Sequence, residues 1–279
     1  MRAWDGVPPP DAPSIPLMGW LRIVLRGAPM AAVVFGGLAV LHAVRFVERP
    51  IHGAHRPWTP WITVGVCRAA LRLLGLRRQV VGRPIDGAGA IVANHVSWLD
   101  VFVLNAAAPV YFVAKAEVAR WPAVGWLARA TGTVFVVRAP REAAAQRAAF
   151  EARLQDGHVL CFFPEGTSTD GRRVLPFKTT LFAAFLGEGL RDRVRVQAAS
   201  LGYRAPQGAP PAFYGWWGDM GFGASLLAVL AARRQGTVTV AYHDPRPATA
   251  ATDRKALARA LEGDVRTGLA AAGISEAAP

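Results

Sequence analysis

A histidine and an aspartate five residues apart, His95 and Asp100, are the pair in this chain best placed to move a proton. They stand in the stretch Ile91-Val92-Ala93-Asn94-His95-Val96-Ser97-Trp98-Leu99-Asp100. On one continuous helix the two would lie about 140° apart and never meet. Residues 91–93, after Gly89, read instead as a short buried strand. Ser97 sits three residues before Asp100, the S-x-x-D form of a helix start. A strand, a turn and a helix put His95 at the mouth of the turn and Asp100 in the first helical turn. The carboxylate can then curl back to the imidazole. Such an acid fixes the tautomer and orientation of a histidine and makes it a general base. The same residues read equally as a dipole-favoured cap and a satisfied turn histidine, so the neighbouring stretches bear on the choice.

Two of those stretches carry groups of the right kind. Gly132-Thr133-Val134-Phe135-Val136-Val137-Arg138 reads as a strand ending in a guanidinium, with Arg141 close behind. The planar fork of Arg bonds two oxygens of a phosphate at once and stays charged. Alone, it is also an ordinary solvated strand end. Residues 162–171 follow the next strand, and a Pro164-Glu165-Gly166 turn brings a carboxylate to the sheet edge. Glu165 there suits an acceptor hydroxyl, the amides around Gly166 and Thr167 are exposed, and Arg172, Arg173 and Lys178 add positive charge. Alone, this is a glycine-rich turn.

These groups need a scaffold that collects them. Strand-like runs fall at 80–81, 91–93, 110–113 (leading to Lys115), 134–137, 159–163, 194–196 and 237–242. Helical patterns fall at 98–105, 118–130, 142–154 and 253–271. The alternation predicts an α/β fold, a central largely parallel sheet flanked by helices. In such sheets ligands gather at the carboxyl ends of strands. Asn94 and His95, Arg138, and residues 164–166 all fall there.

The amino-terminal part differs. Residues 1–16 are Pro-rich and irregular, 17–78 read as membrane-anchoring and interfacial helices, and 79–279 as the α/β domain. Residues 27–44 form an apolar run of membrane-spanning length, interrupted by Pro29. Arg22 and Arg26 precede it, and Arg45 and Arg49 follow it. Cations on both flanks give no positive-inside asymmetry. They fit a re-entrant segment with both ends on the cytoplasmic side, a tilted single span, or a buried core helix. The run starts too late, and its charges resume too soon, for a cleaved signal peptide. Residues 58–76 read as an amphipathic helix, at an interface or on the surface of the domain.

Composition narrows the partners. The formal net charge is +13 and 52% of residues are hydrophobic, with a mean hydropathy of +0.24. The Arg residues are spread among Leu, Val and Trp and form no basic tract, which argues against nucleic acid. An anionic membrane surface or an acidic carrier protein suits the charge. Cys67 and Cys161 have neither metal spacing nor a disulfide framework, so a reducing compartment is expected and no metal is implied.

Together the three stretches resemble the glycerolipid acyltransferase family, the membrane enzymes similar to 1-acylglycerol-3-phosphate acyltransferase. Asn94, His95 and Asp100 match its N-H-x-x-x-x-D motif. Gly132, Phe135 and Arg138 match G-x-x-F-x-x-R, and residues 163–167 match F-P-E-G-T. Residues 112–117, Trp121-Pro122 and Gly125-Trp126-Leu127 look like the family's linker between the first two motifs. The resemblance covers residues 80–203. It implies transfer of a fatty acyl group from acyl-CoA or acyl carrier protein to the hydroxyl of a lysolipid, lysophosphatidic acid or lyso-ornithine lipid. The reaction would belong to membrane lipid biosynthesis, at the cytoplasmic side of the inner membrane, without a cofactor. His95 and Asp100 would be catalytic. Asn94, Lys115, Arg138, Glu165, Gly166, Thr167 and Arg172 would bind substrate.

The sequence departs from the family in two places. Ser168 stands where phosphatidic-acid-forming members often carry Arg, and residues 196–200 lack the Pro of the fourth motif. Residues 165–178 and Trp216-Trp217-Gly218-Asp219-Met220 look closer to the branch that acylates lyso-ornithine lipid. Trp216 and Trp217 read equally as an interfacial anchor. A phospholipid-dependent transacylase and a non-catalytic membrane lipid-binding protein remain the alternatives.

Overall fold

The strands are β1 (Arg77–Val81), β2 (Gly89–Ala93), β3 (Tyr111–Lys115), β4 (Val134–Val136), β5 (Val159–Phe162), β6 (Arg195–Arg204), β7 (Thr237–Tyr242) and β8 (Arg246–Pro247). In the computed structural model, which describes residues 8–10, 14–137, 143–186, 194–250 and 253–274, they form one sheet. Its order is β1-β7-β6-β2-β5-β3-β4, with β8 pairing β6. From β6 to β4 every pair is parallel. β7 runs antiparallel to β6, and β1 follows β7. The parallel half matches the sequence expectation.

Helices cover both faces. They are α1 (Leu17–His52), α2 (Thr59–Leu74), α3 (Asp100–Asn105), α4 (Val124–Ala130), α5 (Ala143–Gln155), α6 (Phe222–Ala231) and α7 (Arg254–Ala271). Side chains along β2 alternate between two cores, as a strand's period of two requires. Ile91 and Ala93 pack with α2, α3 and α6. Ala90 and Val92 pack with α5, α7 and the 3-10 turn Leu181–Leu186.

Three elements depart from the sequence reading. β6 extends to Arg204, well past residue 196, through Ala-Ala-Ser-Leu-Gly. Those small residues have weak strand propensity, but a position buried between β2 and β7 overrides it. The helix expected over 118–130 is split. Ala116–Arg120 is 3-10, Pro122 lacks an amide proton, and Ala123 adopts φ 59° before α4 begins. α6 lies in a segment where no element was expected.

The apolar amino-terminal run is neither re-entrant nor broken at Pro29. It is part of a continuous helix of 36 residues, about 54 Å long, laid along the domain. At its start Arg22 donates to Ala231 O (2.6 Å) and Arg26 to Leu230 O (2.9 Å), cations capping the carbonyl end of α6. In its middle a Cβ at Gly37 would collide with Val66, so glycine lets α1 and α2 approach. Phe35 stacks on Trp126 of α4. Near its end the buried Glu48 accepts from Trp58 N (2.7 Å), Thr59 N (3.0 Å) and Thr59 Oγ1 (2.7 Å), capping α2 from a distance. The outward face leaves Leu17, Leu21, Leu25, Phe35, Val40 and Phe46 exposed. α2 is amphipathic as expected, with Cys67, Leu71 and Leu74 in the core and Trp61 exposed.

Candidate active site

β2 ends at Ala93, and the chain turns sharply before α3. Asn94 makes the first anchor. Its amide donates to Leu201 O (3.0 Å), and its Oδ1 accepts from Leu201 N (2.8 Å). A side chain thus continues the β2–β6 ladder by one step. Asn94 is buried, and its amide is engaged by the main chain of β6.

Residues 95–97 form a turn in which every main-chain polar group is satisfied, as a buried turn demands. His95 N donates to Glu165 Oε1 (2.7 Å), and His95 O accepts from Thr169 N (2.9 Å). Val96 N and Ser97 N both donate to Asp100 Oδ2 (2.8 and 3.0 Å). Val96 O accepts from Trp216 N, and Ser97 O from Asp100 N. Asp100 is the first residue of α3, yet its carboxylate points back into the turn instead of simply facing the helix dipole.

Asp100 Oδ2 also lies 2.8 Å from His95 Nδ1. The carboxylate is completely buried, while the imidazole is 19% exposed. Tyr203 of β6 donates its hydroxyl to the other oxygen, Asp100 Oδ1, at 2.7 Å. Four donors around two oxygens is the environment of an acceptor-only carboxylate. His95 Nδ1 must then carry the proton of that bond, which leaves Nε2 as the lone-pair nitrogen. Nε2 has no protein partner among the described residues. The ring is held flat against Phe163, centroids 4.0 Å apart and planes 10° apart. An oriented imidazole, open on one nitrogen at the carboxyl edge of a sheet, is equipped to accept a proton from a bound alcohol.

The third stretch encloses this pair. Gly166 takes φ 71° and donates to Phe163 O. Glu165 is 1% exposed, and both oxygens are taken, Oε2 by Leu175 N at 2.8 Å. Burial, opposed by those amide bonds and reinforced by Asp100, pushes its carboxyl up to about 8. From behind the histidine this shielded group braces the turn. Thr167 is half-buried, its hydroxyl 3.5 Å from Ser168 O. Gly171 takes φ 73°, and a Cβ there would come 2.7 Å from Val96.

Cations approach the same edge. Arg172 is half-buried, and its guanidinium has no ion pair among the described residues, whereas Arg173 is paired to Asp170 at 3.2 Å. Lys115 ends β3 beside Val136 of β4, two strands or about 10 Å from β2. Arg138 and Arg141 lie outside the described residues. Trp217 is buried and Trp216 donates from Nε1 to Met220 O (2.8 Å). Trp216 N donates to Val96 O, so the Trp216 main chain supports the His turn. The sequence reading missed Tyr203 and Thr169. Both are positioned by pairings that no local motif reveals.

A largely parallel scaffold with a buried acid behind an open histidine suits acyl transfer, and the chain belongs to the acyltransferase family: residues 77–190 match the family model described as Acyltransferase. It is 56% identical over 267 residues to lyso-ornithine lipid O-acyltransferase from Rhodobacter capsulatus, covering 95% of this chain and 96% of that one. It is 32% identical over 211 residues to 1-acyl-sn-glycerol-3-phosphate acyltransferase from Neisseria gonorrhoeae, covering 73% and 78%. The fold also resembles the crystal structure of the 1-acyl-sn-glycerophosphate acyltransferase from Thermotoga maritima, with a TM-score of 0.65 and 22% identity over 91% of this chain and 96% of that one.

Proposed function

We propose that this enzyme moves a fatty acyl group from a thioester, carried by acyl carrier protein or CoA, to the hydroxyl of a lyso-ornithine lipid at a membrane surface. The carrying observation is the 2.8 Å contact between His95 Nδ1 and Asp100 Oδ2, with Nε2 left open. Nε2 removes the proton as the lipid hydroxyl attacks the thioester carbonyl. The tetrahedral intermediate collapses, the C–S bond breaks, and Nε2 returns the proton to the departing thiolate. Asp100 holds the Nδ1 proton and stabilises the imidazolium between the two transfers. The acceptor is itself the nucleophile, so no acyl-enzyme is required.

The intermediate's oxyanion needs donors. In the Glu165 turn Gly166 N and Thr169 N are already used. Those of Thr167 and Ser168 have no protein acceptor among the described residues and are the candidates. An ornithine headgroup carries a carboxylate and an ammonium. Arg172, Lys115 and Arg138 are the cations suited to the former. The choice of acceptor rests on the 56% identity to the Rhodobacter capsulatus enzyme and on Ser168 in place of Arg.

α1 bears a hydrophobic outer face while both its ends touch the same domain. These contacts support a reading in which α1 lies in the bilayer interface without crossing it. A thioester donor drawn from the cytoplasm supports an active face on the cytoplasmic side of the inner membrane. Purified protein given one labelled acyl donor and a panel of lyso-ornithine lipid, lysophosphatidic acid and lysophospholipids is expected to acylate lyso-ornithine lipid and release thiol. Acylation of lysophosphatidic acid alone would reject the acceptor. Product formed without the thioester, from a phospholipid, would point to a transacylase.

A further inference from the structure

The amino-terminal edge of the sheet, opposite the His95 turn, holds a second concentration of polar groups. Tyr111 opens β3 and His158 precedes β5; both are buried, and their rings lie 4.2 Å apart. Arg153, in the last turn of α5, sits 4.8 Å over the Tyr111 ring. It reaches the Gly132 carbonyl and lies 3.3 Å from His158 Nδ1. Arg56, from the α1–α2 connection, donates to Ala130 O at 3.3 Å. Gly132 is where these meet. A Cβ on it would stand 3.0 Å from a terminal nitrogen of each arginine and 3.1 Å from the Tyr111 ring.

Among the described residues no carboxylate pairs with this cluster, although Asp156 and Glu48 act on Arg153 and Arg56 from further away. Neither Arg56 nor Arg153 has a carboxylate partner among the described residues, and the nearby Glu48 is already bonded to Arg45 and the start of α2. Arg56 Nε, His158 Nε2 and Tyr111 OH are buried with no hydrogen-bond partner among the described residues. Because Arg153 donates to Nδ1, the proton of His158 belongs on Nε2, so all three orphans are donors. Burial and then Arg153, Arg56, His55 and Arg45 push the His158 imidazole down to about 3, which keeps it neutral. Two half-buried like charges and three orphan donors are unfavourable unless an anion or ordered water completes them, and only an anion also offsets the charge.

We propose that Arg56, Arg153, His158 and Tyr111 form an oxyanion site that takes a phosphate group. Arginine forks suit phosphate oxygens, and the neutral donors supply the remaining bonds. The last turns of α1 beside it expose Phe46, Val47 and Ile51, and the connection to α2 exposes Trp58. That surface favours the headgroup of an anionic phospholipid over free phosphate as the source. The length of β5, about 13 Å, separates the site from the catalytic edge. It tethers and orients the enzyme on its membrane and takes no part in the chemistry.

The test uses the full chain in detergent. Thermal unfolding is followed against inorganic phosphate, with chloride at equal ionic strength as the control. Phosphate is expected to raise the unfolding midpoint beyond chloride. Its apparent dissociation constant should weaken about tenfold in Tyr111→Phe and in Arg56→Gln/Arg153→Gln. If the arginine variant fails to fold, the near-isosteric Tyr111→Phe carries the test alone. Flotation with phosphatidylcholine vesicles, with or without phosphatidylglycerol, separates the sources. A phosphatidylglycerol preference that shrinks in Arg56→Gln/Arg153→Gln assigns the site to lipid; a phosphate response without that preference assigns it to free phosphate. Equal responses to phosphate and chloride, or variants that respond like the wild type, would mean that water alone satisfies these donors and would overturn the site.

Discussion

Tyr203 reaches from β6, four positions beyond the last β2–β6 pair, to place its hydroxyl 2.7 Å from Asp100 Oδ1. Among the described residues it is the one side chain that fixes the oxygen His95 does not use. Tyr203→Phe keeps the ring and removes the bond, leaving a buried carboxylate oxygen without its donor. The variant is expected to lose about 1–3 kcal/mol of stability and to lower kcat about tenfold while KM for the lysolipid holds. Steady-state kinetics and urea unfolding check both; an unchanged kcat would mean that the main-chain donors alone hold Asp100.

Glu165 gives a pH signature. Its folded carboxyl lies near 8 against an ordinary 4.5, so folding takes up a proton between those values. A raised folded value means stability is full below about 4.5 and declines as pH rises through about 8. The slope is up to about 1.4 kcal/mol per pH unit. Glu165→Gln cannot titrate. The difference in unfolding free energy between wild type and this variant is expected to drift against the wild type from about pH 5 to about pH 8. A flat difference would show that the two amide bonds keep the carboxylate ionised.

Gly171→Ala tests the packing of the Glu165 loop on the His turn. Alanine is strained at φ 73°, and its Cβ would press on Val96 at 2.7 Å. A loss of about 1–3 kcal/mol is expected in denaturant unfolding. Activity should fall with it, because Val96 is the neighbour of His95. Unaltered stability would mean that the loop moves independently of the turn.

The interfacial placement of α1 is tested by cysteine labelling in sealed inner-membrane vesicles. Cysteines at Leu17 and at His52 sit at opposite ends of the 36-residue helix. Both ends contact the same domain, so a membrane-impermeant maleimide should reach both from one side only. The native Cys67 and Cys161 are buried and contribute little background. Labelling from opposite sides would establish a span.

The parts of the site legible in the sequence were those carried by local chemistry. The alternation in β2 and the return of Asp100 onto its own turn are short-range, so the His95–Asp100 pair followed from spacing. Tyr203 and Asn94 depend on β6 lying beside β2, a pairing between residues about a hundred positions apart that Ala-Ala-Ser-Leu-Gly does not announce. The burial of Glu165 was illegible for a related reason. A Pro-Glu-Gly turn looks exposed until the strand order shows that it folds beneath His95. Pro29 misled on α1 because contacts with α2, α4 and α6 hold the helix through the missing hydrogen bond.

The most direct test is thiol release from an acyl thioester in the presence of lyso-ornithine lipid, comparing wild type with His95→Gln, with folding and membrane binding verified in both. If Nε2 of His95 moves the proton, the variant should be slower by about 10²–10⁴-fold while still binding membranes. Turnover at the wild-type rate would contradict the assignment of His95 as the base.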